Sequence, residues 1–172
     1  MERANEQLTG LKTALTIANI LDRVLILPRF HCYRRSAGSL AECPLNSLLR
    51  ITAFDAGFAG RYRESSFLNH PLVPVAVSRS VSPRYFVGAS ASPVSGNNTK
   101  TSIVIRGSSK DFISDDDLRQ TLGSDRHRVV SLASLEHVHV MFKSADRQQT
   151  FDDTIAASFK RSDYRQMAHP GA

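Results

Sequence analysis

The sequence predicts an α/β fold with a mainly parallel sheet and flanking helices. Three observations predict it: an amphipathic helix that leads within two residues into a short apolar run, a further alternation of strand-like and helix-like segments after residue 100, and a composition able to fill one core. The 172 residues, 41% of them hydrophobic, amount to about one domain. A domain of that size buries roughly 70% of its unfolded surface. Nine glycines, two cysteines and 22% charged residues exclude collagen-like, disulfide-dense and wholly disordered classes. Unbroken apolar stretches such as Val24 to Pro28 fall far short of the ~18–20 residues that span a bilayer.

From Asn5 to Leu21, the residues Leu8, Leu11, Leu15, Ala18 and Leu21 recur at steps of three and four, with Ala14 and Ile17 widening the stripe. That periodicity is helical. Asp22-Arg23 interrupts it, and Val24-Leu25-Ile26-Leu27 before Pro28 reads as a strand buried on both faces, as in a parallel sheet covered by helices. Helix and strand form half of a βαβ unit. Only four residues precede Asn5, so the unit lacks its opening strand and reads as truncated.

Arg29 to Pro44 reads as a loop that carries both cysteines, Cys32 and Cys43. In an oxidising compartment the two can pair, and in the cytosol they stay thiols; a zinc site is disfavoured because His31 adjoins Cys32 instead of standing at ligand spacing. A structural disulfide is the favoured reading of the three. Pro44 suits the first turn of a helix, the apolar run from Leu45 to Ile51 is too short to assign, and Thr52 or Asp55 opens one helical turn ahead of Gly57 and Gly60.

Residues 71–100 hold four of the seven prolines and six serines, the composition of an extended or partly disordered connector. It divides the chain into a helix–strand unit with its cysteine loop (1–70) and a C-terminal α/β segment of the same domain (101–172). Within it, Asn97-Asn98-Thr99 satisfies the N-glycosylation pattern, making Asn97 a candidate acceptor, with a polar turn as the plainer reading. Beyond it, Ser102 to Ile105 predicts a strand, and Ser114 followed by Asp115, Asp116 and Asp117 predicts a capped helix start running to Leu122 and Gly123. Val129 to Leu132 predicts another strand, Ser134 caps a short helix through Phe142, and a last helix begins near Arg147 with Phe151, Ile155 and Phe159 at steps of four.

Charge is unevenly placed. Of 22 basic residues 17 are arginine, planar forked donors suited to phosphate and carboxylate. Between Arg23 and Arg84 stand nine arginines, no lysine and three acids, a surplus of six that equals the whole net charge. Such asymmetry points to an anionic partner. Nucleic acid is disfavoured, because no aromatic-rich RNA signature, helix-turn-helix pattern or zinc spacing accompanies the arginines; a phosphorylated small ligand and a solvated basic face remain.

The stretch from Asn5-Glu6-Gln7-Leu8 through Leu21-Asp22-Arg23-Val24-Leu25-Ile26-Leu27-Pro28 to Phe30, with the later Cys32 and Cys43-Pro44-Leu45, resembles the opening of Rossmann-like glycosyltransferase domains. These are the protein O-fucosyltransferase-like group and the plant and algal nucleotide-diphospho-sugar transferases of the arabinosyltransferase type. The resemblance covers about forty residues. It implies an incomplete Rossmann-like fold that moves a sugar from a nucleotide-sugar donor to a hydroxyl on a glycan or protein acceptor, in the Golgi or ER lumen. It implies further that Arg3, Asn5, Gln7, Arg29, Arg34 and Arg35 meet the donor's phosphates, where a helix N-terminus and arginines offset negative charge. Two departures stand out. The glycine loop that precedes the Asn/Gln pair is absent, and the group's His-x-Arg is matched only by Val104-Ile105-Arg106, which makes Arg106 a candidate without its histidine.

Other catalytic patterns are missing: no Gly-x-Ser-x-Gly, P-loop or His-Glu-x-x-His occurs. Asp115 to Asp117 could be read as a metal-binding Asp-x-Asp, but the capping role is favoured, and His137 and His139 lack a third ligand nearby. Arg61 to Ser66 reads as an acceptor contact or as a turn with an ion pair. Against the transferase stands a reading from another class, a non-catalytic interaction domain that binds an anionic polymer through an arginine-rich face.

Overall fold

The computed structural model describes residues 2–34, 39–86, 103–105, 112–123, 128–133, 135 and 138–161. Helix α1, Glu2–Ile20, starts three residues earlier than the apolar stripe. Asn5 therefore lies inside the helix and does not cap it. Five consecutive side chains from Thr13 to Ile17 are buried, so the middle of α1 is enclosed on most sides. Thr13 and Thr16 satisfy their hydroxyls there by donating to the carbonyls of Thr9 (3.2 Å) and Lys12 (2.9 Å), the local bond that lets threonine be buried in a helix.

The helix ends in a Schellman motif. The N–H of Arg23 donates to the carbonyl of Ala18 (2.9 Å) and that of Asp22 to Asn19 (3.3 Å), with Asp22 left-handed at a φ of 50°. Glycine or asparagine is the usual choice there, because a Cβ is strained in that region. Asp22 is held in place by Arg61, whose Nη1 lies 2.7 Å from its carboxylate.

Four sheets follow. Strand β1, Leu25–Ile26, is not buried on both faces as predicted: Leu27 is buried, Leu25 and Ile26 are half-buried, and Val24 is 49% exposed. The stretch expected to be a loop holds a hairpin of β2, Phe30–Arg34, and β3, Ser39–Cys43, paired antiparallel with Phe30 opposite Cys43 and Cys32 opposite Ala41. Its polar alternation hid it, since among the described side chains of β2 only Phe30 is buried. A single 3-10 turn, Leu45–Ser47, then leads to α2, Ile51–Phe58, two turns beginning before Thr52 and Asp55. Strand β4, Tyr62–Arg63, pairs parallel with β1, Leu25 against Tyr62 and Ile26 against Arg63.

The connector region is more ordered than its composition predicts. It contains a short helix α3, Val75–Ser78, and β5, Val81–Phe86. Strand β5 is the centre of a three-stranded parallel sheet between β6, Ile103–Ile105, and β8, Val129–Ala133. Pro83, opposite Ser131, disguised it: proline has no N–H to give and is normally confined to edge strands. A last parallel pair joins β7, Ile113–Ser114, to β9, Val140–Met141. Strand β9 stands where a helix through Phe142 was expected, because the alternation Val138-His139-Val140-Met141 has the period of a strand.

Helix α4, Asp115–Leu122, starts as predicted, with Ser114 Oγ accepting from the Asp117 N–H (3.2 Å) and the Asp117 carboxylate accepting from the Ser114 N–H (3.0 Å). This reciprocal capping box satisfies two donors the helix leaves open. Helix α5, Ala145–Ser158, begins two residues before Arg147 because Ser144 caps it. The chain is thus a mixed α/β protein with short parallel sheets.

One core holds these pieces together. Leu11, Ile17 and Ile20 of α1, Phe54 and Phe58 of α2, Leu118 and Leu122 of α4, and Phe151 and Ile155 of α5 are all at most 7% exposed. Helices α2 and α5 cross at Gly57, where a Cβ would run into Ser158 Oγ and lie 3.2 Å from Thr154 Cγ2. Gly57→Ala is expected to destabilise by about 1–2 kcal/mol, overpacking outweighing the better helix propensity of alanine. Urea melts of Gly57→Ala and of Gly57→Ala with Ser158→Gly check this, the second variant recovering most of the loss.

Candidate functional site

An open cleft of about 1540 Å³ runs beside α1. Its lining includes Val24, Leu25 and Ile26, Val129 to Leu132, and, from α1 and the turn after it, Leu11, Ala14, Ile17, Ala18 and Leu21. Four arginines line it, Arg23, Arg29, Arg63 and Arg128, against the one acid Glu6. The surplus of positive charge seen in the sequence is therefore partly gathered in one concavity, where charge acts more strongly than on a convex surface.

The local fold explains where the polar groups collect. Helix α1 and β1 are joined by a tight turn and run in opposite directions, so the α1 N-terminus lies beside the C-terminal end of β1. Gln7 fastens that end. Its Nε2 donates to the carbonyl of His31 (2.9 Å) and its Oε1 accepts the His31 N–H (2.7 Å), so the amide acts as a one-residue strand partner to the start of β2. Arg29 stands three residues after β1 and Arg63 ends β4. Both stand at the C-terminal ends of a parallel pair, the place where ligands collect in open α/β sheets.

The neighbours of these groups tell how committed each is. Arg29 lies 3.7 Å from Glu42, with both side chains more than half exposed, an ion pair worth little in water and easily exchanged for a phosphate. Arg63 Nη1 donates to the carbonyl of Tyr62 (2.8 Å). Asn5 Oδ1 accepts from Arg161 Nη2 (3.4 Å). Tyr62 stiffens β4 by donating its hydroxyl to Asp55 (2.5 Å); burial, then the Asp55 hydrogen bond and charge, push its phenol well above the usual range. It stays protonated at neutral pH and serves as a buttress.

Of the residues expected to bind a donor, Asn5, Gln7 and Arg29 line this cleft. Gln7 does so with its amide already engaged, which makes it a positioning residue. Arg3 and Arg34 belong to α1 and β2, where only their backbone is described, and Arg35, Arg106, Asn97 and His137 lie outside the described residues. Arg23, Arg63 and Arg128 were not singled out as donor-binding residues from the sequence; the first two belong to the arginine-rich segment, whereas nothing in the sequence distinguishes Arg128. Arg61, read as an acceptor contact or an ion pair, makes the ion pair with Asp22.

The remaining candidates have structural work. Asp115 accepts the Lys143 N–H (3.0 Å) and lies 3.6 Å from Arg147, Asp116 meets Lys143 Nζ at 2.9 Å, and Asp117 completes the capping box. The acidic triplet is spent on holding α4 against the start of α5. Among the described residues no three His, Cys, Asp or Glu side chains come together as a metal site, and no described helix is long and apolar enough to cross a membrane. Cys32 and Cys43 form a disulfide with a Cα–Cα distance of 5.7 Å, across the hairpin that His31 belongs to. Comparison with protein-family models, curated proteins and solved structures finds no match.

Proposed function

We propose that the chain is a Rossmann-like nucleotide-sugar-binding domain of a glycosyltransferase, and that the polar end of the cleft holds the donor's pyrophosphate. The observation that carries this is the meeting of Asn5 and Arg29, singled out on sequence grounds, with Arg63 at the C-terminal ends of β1 and β4. Two guanidiniums beside a helix N-terminus supply forked and dipolar donors for a diphosphate. In glycosyl transfer the bond from the sugar to the diphosphate breaks and negative charge grows on the leaving oxygen, so the same groups bind more strongly as the reaction proceeds. The acceptor hydroxyl, from a glycan or a protein, attacks the sugar carbon, its oxygen forming the new bond as the diphosphate leaves and its proton passing to solvent. A lumenal compartment such as the Golgi or ER accords with the Cys32–Cys43 disulfide, since such bonds persist where the medium is oxidising.

The test is thermal melting with a panel of nucleoside diphosphates. Ligand at about a hundred times its Kd stabilises by about 2.7 kcal/mol, which raises the Tm by roughly 5–10 °C for a chain of this size. Arg29→Ala with Arg63→Ala should abolish the shift while leaving the unliganded melt within about 0.5 kcal/mol, as expected for exposed side chains. Heparin binding with a steep salt dependence, together with no response to any nucleotide, would instead establish the polyanion-binding module.

A further inference from the structure

We propose that a sugar handled in this cleft carries a carboxylate, as a uronic acid does, and that Arg128 holds it. The inference rests on the nucleotide-sugar reading and names the class of sugar. The count of charges leads to it. The diphosphate of a sugar nucleotide carries two negative charges, and Arg29 and Arg63, beyond β1 and at the end of β4, answer them. Arg23 has a partner of its own and adds nothing to the count. Arg128 is left over. It lines the same cleft with an exposed side chain, and among the described residues that side chain makes no hydrogen bond or ion pair, with Glu6, the one acid of the lining, or with any other group.

The setting of Arg128 decides what it takes. It stands immediately before β8, whose first residue Val129 lies opposite Val81, the first residue of β5. Both valines line the cleft, Val81 at 41% exposure and Val129 half-buried. The guanidinium thus stands beside accessible apolar surface in a concavity, where a charge acts more strongly than on a convex face. Its planar fork matches a carboxylate, with two parallel N–H···O bonds to the two oxygens. A uronic acid offers both features on one ring: a carboxylate at the sixth carbon, and C–H groups along the pyranose face for the valines.

Other sugars fit less well. A neutral hexose gives Arg128 only hydroxyl acceptors, and a hydrogen bond between ionised groups is roughly twice as strong as one between neutral groups. A sugar phosphate would bring a dianion, half of which a single arginine leaves uncompensated. The carboxylate takes no part in the transfer itself, so Arg128 sets specificity and leaves the bond changes as they are. It can belong to the nucleotide-linked sugar or to the acceptor, and the two sources share this contact.

The experiment is isothermal titration of the whole chain with two pairs of sugar nucleotides, UDP-glucuronic acid against UDP-glucose and GDP-mannuronic acid against GDP-mannose. The members of each pair differ only in a carboxylate against a hydroxymethyl group. In at least one pair the uronate should bind about tenfold more tightly or better, and in Arg128→Ala the ratio should fall to within about twofold of one. Because the side chain removed is exposed, the variant should melt like the parent without ligand. A carboxylate on the acceptor shows instead as trigalacturonate binding in the presence of UDP or GDP, weakened about tenfold by Arg128→Ala. A uronate preference that survives in Arg128→Ala overturns the proposal, and so does equal binding within both pairs together with no Arg128-dependent binding of trigalacturonate. UDP and GDP alone report on the nucleotide reading. If either binds while no Arg128-dependent uronate is found, this proposal falls by itself; if no nucleotide binds, both fall.

Discussion

Phe54→Ala is expected to cost about 3–5 kcal/mol, the usual range for truncating a fully buried phenylalanine. Phe54 is 0% exposed and is the hub of an aromatic cluster, its ring 5.2 Å from Phe58, 5.0 Å from Tyr62 edge-on and 6.0 Å from Phe159. Truncation loses the burial of the ring and these contacts, and leaves a cavity that α2 and α5 cannot close, because their spacing is already set at Gly57 by Ser158. Against a typical total of about 5–15 kcal/mol, that loss brings the fold near its limit. Thermal and urea melts should show it, with Phe112→Ala, at a residue 39% exposed, changing stability far less. Comparable losses at both positions would place the core elsewhere.

Reducing the disulfide is the second large effect. Cys32 and Cys43 are eleven residues apart, and closing a loop of that length removes about 3 kcal/mol of conformational freedom from the unfolded chain in the loop-entropy estimate. The consequence extends beyond stability. Phe30, opposite Cys43, is 3% exposed, and His31 is the residue Gln7 grips, so the hairpin carries the strand start that adjoins Arg29. Melts with and without reductant should differ by about that amount, and Cys32→Ser should melt low and ignore reductant. Its nucleotide response should also weaken. An unchanged melt on full reduction, with two thiols titrated, would rule the effect out.

Both effects lie in regions that were only partly legible. The α1 stripe, the Ser114 cap with its acidic first turn, and the strands at Ile103 to Ile105 and Val129 to Ala133 could be read because each has a local cause, either periodicity or capping chemistry. The hairpin, β5 and β9 could not. Their residues are polar, contain a proline or alternate weakly, and each is a strand because of its partner, the other arm for the hairpin and segments far along the chain for β5 and β9. Likewise Asn5, Gln7 and Arg29 could be nominated one by one, but Arg63 and Arg128 join them only through the β1–β4 pairing and the approach of β8.

By itself the sequence determined an α/β character, a long N-terminal helix delivering a strand, a cysteine pair close enough in the chain to close, and a positive surplus between Arg23 and Arg84. These are short-range properties, set by side-chain period, helix capping and composition. Only the tertiary structure decided which arginines share a cleft and that Gln7 is occupied by His31. Those facts depend on backbone partners far apart in the chain, which leave no signature in the local residue pattern.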